Sequence, residues 1–162
     1  MSLFSGMTAE AQREREEFFK EFETKTGEKV KSLELAELRA DAVVYQELNL
    51  KTYRPGVWGL IVFCEKTAYY YVAPQESYLS FFMKGAGRTE ERLFSLTELS
   101  AISFSLPKRG LLSFLNPETA RSVNASYKNF DGAERSFTLV LNHKADDVFA
   151  MLNAIIVKPP LQ

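Results

Sequence analysis

The chain is poor in the side chains that most enzymes spend on chemistry. Its 162 residues hold one cysteine, one histidine and one tryptophan. A single Cys64 excludes an intrachain disulfide and fits a reducing compartment. A single His143 means that any Ser-His-Asp or Cys-His catalysis would have to run through that one ring. One His and one Cys give no zinc-ligand spacing. No apolar run approaches the ~18–20 residues that span a bilayer, and the N-terminal residues lack the basic n-region of a signal peptide. Charge of one sign is also missing. Twenty Lys and Arg against 21 Asp and Glu leave a net charge of -1, so no global field draws the chain to nucleic acid or to an anionic membrane. The expected location is cytoplasmic.

The few reactive residues sit in structural contexts. Cys64 ends the apolar run Leu60-Ile-Val-Phe-Cys64, which reads as core. His143 stands beside Asn142 and Lys144 at the start of the last helical pattern, a place for a capping or solvated ring. Glu14, Glu16, Glu17, Asp146 and Asp147 read as solvated helix faces. Lys84-Gly-Ala-Gly-Arg-Thr89 lacks both the Gly-Lys-Ser/Thr ending of a phosphate loop and the third glycine of a dinucleotide fingerprint, and reads as a hairpin turn. No catalytic residue, metal site or cofactor is expected, and the chain is read as a non-enzyme. Tyr69, Tyr70 and Tyr71 suit strand packing better than base stacking, because cations near them are sparse. No nucleic-acid partner is expected.

Aromatic residues and short apolar segments are abundant, with 13 Phe and 7 Tyr. Thr8 to about Phe22 predicts an amphipathic helix, with Phe18, Phe19 and Phe22 on one side and Gly27 as its stop. Ser32–Ala40 predicts a second helical piece, with Leu35 and Leu38 facing inward. Val43–Leu50 predicts a first strand, and the turn Lys51–Gly56 follows it. Val57–Cys64 and Thr67–Val72 predict a hairpin around Glu65-Lys66. Tyr78–Met83, Arg92–Leu96 and Ala101–Leu106 are further strand candidates. Arg121–Asn129 and Arg135–Leu141 alternate well and are joined by the turn signal Asp131-Gly132. From Lys144 to Val157, Ala145, Val148, Phe149, Leu152, Ile155 and Ile156 recur at helical spacing, and Pro159 follows. Residues 1–40 are expected to form an N-terminal helical extension, and residues 41–162 the main domain.

Gly56-Val-Trp-Gly-Leu-Ile-Val-Phe, Thr67-Ala-Tyr-Tyr-Tyr-Val and Leu93-Phe-Ser-Leu-Thr-Glu-Leu-Ser-Ala-Ile-Ser, with the closing Phe137-Thr-Leu-Val-Leu strand and helix, resemble a PH-like domain. The likeness is to the GRAM and bacterial PH-type branch and runs from about Ala42 to Val157. It implies an α+β fold: a β-barrel or sandwich of about seven strands capped by a C-terminal helix, here with an extra N-terminal helix. The only tryptophan, Trp58, lies in a strand and not in the closing helix. The run of cations that phosphoinositide-binding PH domains place beside the first hairpin turn is reduced to Lys51 and Arg54. The resemblance therefore implies a fold, and not a ligand.

The sharpest functional segment is Lys108-Arg109-Gly-Leu111-Leu112-Ser-Phe114-Leu115, between Pro107 and Pro117. Two cations precede four large apolar residues. Such a loop can complete the core, dock on a protein partner, or dip into a membrane interface while its cations meet anionic head groups. The expected function is a non-enzymatic interaction module that binds a protein partner or a second copy of itself. The alternative is a peripheral module binding anionic lipid through Lys51, Arg54, Lys108 and Arg109, with Leu111, Leu112 and Phe114 as the apolar part.

Overall fold

A computed structural model describes residues 9–50, 56–73, 91–108, 110 and 115–156. Helix α1 spans Ala9–Thr26, and strand β1 spans Val30–Ala40. The short helix α2 covers Ala42–Glu47, followed by β2 over Gly56–Cys64 and β3 over Ala68–Val72. Strands β4 (Arg92–Ser95) and β5 (Ser103–Ser105) are short. After a 3-10 turn at Thr119–Arg121 come β6 (Ser122–Lys128), β7 (Glu134–Leu141) and helix α3 (Asp146–Ile156). The seven strands form one antiparallel sheet in the order β4-β3-β2-β1-β7-β6-β5. The sheet curls into a half-barrel around the main core, giving an α+β architecture with one helix at each end of the chain.

The concave face carries that core. Leu38, Ile61, Phe63, Tyr70, Val123 and Leu139 are buried there under Val148 and Leu152 of α3 and Val44 and Tyr45 of α2. The apolar stripe read from Ala145 onward is thus the face that closes the half-barrel. Ala145 N–H donates to the Ala120 carbonyl at 2.9 Å and pins the start of the helix to the 3-10 turn. Tyr70 reaches the middle of this core. Its Oη lies 2.7 Å from the Val57 carbonyl oxygen and 2.9 Å from that of Ala36. The ring passes over Gly59, where an added Cβ would come within 2.8 Å of it, so only glycine leaves room there.

A second core lies on the convex face of β1, β2 and β3. Leu33, Leu35, Leu60, Val62, Cys64 and Tyr71 are buried there beneath α1. Phe18 packs at a tilt against Tyr71 at 5.3 Å between centroids, and Phe22 and Tyr69 meet edge to face at 5.4 Å. Phe22 is 3% exposed; burying such a side chain is worth ~1.5–3 kcal/mol. Gly27, at φ +77°, ends α1, and its N–H donates to the Glu23 carbonyl at 2.8 Å. Glu28 then ties the helix exit to the β2–β3 turn. It accepts from Lys66 N–H at 2.9 Å and from Tyr69 Oη at 2.8 Å.

Two expected elements are corrected. Ser32–Ala40 is not helical: it belongs to β1, which pairs with β2 on one side and β7 on the other. Leu33 and Leu35 point to the α1 side and Ala36 and Leu38 to the main core, and this two-sided burial blurs the alternation that marks a strand. Val43–Leu50 is not a strand. It contains α2, with Val44 and Tyr45 turned inward, while Tyr45 Oη accepts from Ala40 N–H at 3.0 Å. The strand candidate Tyr78–Met83, the Lys84–Thr89 turn and most of the Lys51–Gly56 turn lie outside the described residues.

Candidate functional site

Of the residues expected to bind a ligand or partner, Lys51, Arg54, Arg109, Leu111, Leu112 and Phe114 lie outside the described residues. Lys108 is exposed, and Leu115 at the far end of the same loop is 66% exposed. Cys64 is buried under α1, and burial pushes its thiol up to about 12, where it is no nucleophile at neutral pH. His143 Nε2 lies 2.7 Å from Glu34 Oε2, and its Nδ1 lies 2.9 Å from the Lys144 carbonyl oxygen. Both neighbours accept only, so both contacts are satisfied together by the imidazolium, which leaves no ring nitrogen free to take a proton. Among the described residues, no three His, Cys, Asp or Glu side chains are grouped to hold a metal ion. No helix among them is long and apolar enough to cross a membrane.

Arg39, on the convex face, is fully engaged. Its Nη1 and Nη2 donate to the two Glu118 carboxylate oxygens at 2.9 and 3.1 Å, and its Nε donates to Glu37. Held first by Glu118 and then by Glu37, the guanidinium stays charged and Glu118 is kept below the usual carboxylate range. This fork braces β1 against the approach to β6.

The most distinctive surface lies at the β6–β7 turn, which sequence reading takes as a plain hairpin signal. Phe130 stands at its apex, 93% exposed. The turn beneath it is locked. Gly132 N–H donates to the Asn129 carbonyl at 2.9 Å, Asn129 N–H donates to the Ala133 carbonyl at 2.9 Å, and Gly132 adopts φ +81°. This is the pattern of a type I turn followed by a left-handed glycine. The Asn129 side chain adds more: its Oδ1 accepts from Asp131 N–H at 3.0 Å and Ala133 N–H at 2.9 Å.

The other end of the Asn129 amide reaches Glu47 at the end of α2. Asn129 Nδ2 donates to Glu47 Oε1 at 2.9 Å, Arg135 Nε donates to the same oxygen at 3.0 Å, and Tyr127 Oη donates to Oε2 at 3.0 Å. The Asn129 amide, with Arg135 and Tyr127, holds the Glu47 carboxyl below its ordinary range. Burial and the Glu47 contact push the Tyr127 hydroxyl up to about 12. One carboxylate thus fastens the turn to α2, and the Phe130 ring is presented from a rigid base.

Beside the ring runs a groove of about 350 Å³, lined by Glu47, Leu48, Glu98, Leu99, Ser100, Tyr127, Lys128, Asn129 and Phe130. The Lys128 N–H donates to the Ser100 carbonyl at 2.8 Å and holds the two walls together. Glu98 and Lys128 are both exposed, and neither side chain has an ion-pair partner among the described residues. The one sequence signal for this site is an aromatic residue directly before Asp131-Gly132, where a turn normally carries polar residues. No protein-family model, no curated protein and no solved structure matches the chain.

Proposed function

We propose that the chain is a non-enzymatic interaction module of PH-like fold that takes a protein segment at the β6–β7 turn. The carrying observation is Phe130, 93% exposed on a turn held by the Asn129–Glu47–Arg135 network. A rigid aromatic beside an open groove is what an interface anchor requires, since little conformational freedom is lost when it is buried. The strand order with a helix over the concave face supports the PH-like reading. The test is selection from a displayed random-peptide library on the wild-type protein and on Phe130→Asp. Peptides enriched on wild type and lost on the variant support the reading; equal enrichment on both, or none on either from a chain that is monomeric, overturns it.

A second reading, a peripheral module for anionic lipid, is favoured by the exposure of Lys108 and of Leu115 at the ends of the cationic-apolar loop. It predicts co-sedimentation with anionic vesicles that salt weakens and that a Leu111→Asp/Leu112→Asp variant loses. Wild type that stays in the supernatant at low salt removes it.

A further inference from the structure

We propose that the occupant of the groove beside Phe130 is the Phe130 ring of a second copy of this chain, in a two-fold symmetric dimer. The inference rests on the interaction reading above and names its partner. A two-fold interface needs one patch that complements itself, in shape and in charge, because each copy offers the same surface to the other. This patch meets both conditions. It carries a knob, the exposed ring of Phe130, and beside it a hole of about 350 Å³ with Leu48 and Leu99 in its lining. A cavity of about 150 Å³ already accepts benzene, so a phenyl ring fits with room to spare. The patch also carries an exposed cation and an exposed anion, Lys128 and Glu98, which have no ion-pair partner among the described residues. In a two-fold dimer, a contact between Lys128 of one copy and Glu98 of the other is made twice. An unrelated partner would need only one half of each complement; a second copy uses all four.

The remaining polar groups do not oppose the contact. Glu47, the other carboxylate in the lining, is already neutralised by Arg135 and hydrogen-bonded by Asn129 and Tyr127. The turn itself is fixed before association, so the ring enters without rearrangement.

Sedimentation velocity from about 1 μM to about 1 mM, the range in which weak association is read, tests the proposal on the full chain. The expected result is a shift from the 18.4 kDa monomer to twice that mass. Phe130→Ala should weaken association at least about tenfold. Glu98→Lys and Lys128→Glu should each weaken it by setting like charges together, and the double exchange Glu98→Lys/Lys128→Glu should restore it. Circular dichroism confirms that each variant is folded, and the charge exchange keeps the test decisive if Phe130→Ala is not. A wild-type chain that stays monomeric at the highest concentration overturns the dimer. So does a dimer indifferent to Phe130→Ala and to both single charge changes. If the monomer nonetheless selects Phe130-dependent peptides, the dimer is wrong and the interaction reading stands; if it selects none, both fall.

Discussion

The two halves of the sheet solve the same problem differently. In β1, β2 and β3 both faces are covered: the concave face by the main core, the convex face by the phenylalanines of α1. In β6 and β7 the concave face is covered, while among the described residues the convex face is buried only at the Ser122–Val140 pair. Their convex face is Ser122, Asn124, Ser126, Lys128, Glu134, Ser136, Thr138 and one apolar residue, Val140. The sequences record the difference. Strand β2 runs Val-Trp-Gly-Leu-Ile-Val-Phe-Cys almost without interruption, while β6 and β7 alternate polar and apolar residues. A sheet with water on one side writes a period of two; a sheet enclosed on both sides writes a run. Helix α1 is therefore part of the fold of its half.

The largest effect that can test this difference is at Phe22. Phe22→Ala should cost ~3–5 kcal/mol, the price of an emptied aromatic site, read as a lower urea midpoint. A loss under ~1 kcal/mol would mean that α1 merely rests on the sheet. Next come neighbouring positions. Leu60 and Ile61 face opposite sides and are 1% and 0% exposed, so Leu60→Ala and Ile61→Ala should each cost ~2–5 kcal/mol. In β7 the same pair of substitutions should split: Leu139→Ala at ~2–5 kcal/mol, but Thr138→Ala under ~1 kcal/mol, since it loses mainly the 3.0 Å bond to Asn124. Equal costs at Thr138 and Leu139 would contradict the one-sided burial of that half.

Two smaller effects depend on pH. The Glu47 carboxyl is lowered by the Asn129 amide, with Arg135 and Tyr127. Its contribution is present above the unfolded value of about 4.3 and is lost as pH falls through the lower folded value. Below about pH 4 the Asp131 and Ala133 amides should exchange faster as the turn loosens; Glu47→Gln should show this faster exchange already at neutral pH. His143 moves the other way. The bond to Glu34, against partial burial, raises its imidazole. Its contribution is full below about pH 6.5 and is lost as pH rises through the folded value. The ring is surface-placed, so the effect stays under ~1 kcal/mol. An NMR titration of the ring should give a raised midpoint in wild type that drops in Glu34→Gln.

How legible each part was follows from the same physics. The hairpin β2–β3, the pair β6–β7 and the closing helix were readable because run, alternation and helical spacing are each unmixed there. Strand β1 was not, because Leu35 and Leu38 belong to opposite faces yet stand three residues apart, the spacing of one helical face. Helix α2 was missed because six residues are too few to show a period, and Val43 and Val44 favour a strand on propensity. Residues 30–40, expected in the N-terminal extension, lie within the sheet, with Val30 to Arg39 paired to β2 and Ala36 to Ala40 paired to β7. Of the candidate site, only the Asp131-Gly132 turn was visible. The importance of Phe130 depends on exposure, and the Glu47 lock joins residues more than 80 positions apart, which no local pattern records.

The place of β1 in the sheet also sets an order of assembly. Among the strands it is the first to be synthesised, and it pairs with β2, the next strand, across residues 41–55. Its other edge waits for β7, roughly a hundred residues later. Until Glu134–Leu141 leaves the ribosome, the strand at the middle of the finished sheet is an open edge with unpaired N–H and C=O groups. The growing chain is at its most vulnerable to pairing with a neighbouring nascent chain just before the last strand arrives, and β7 ends that hazard by filling the position between β1 and β6.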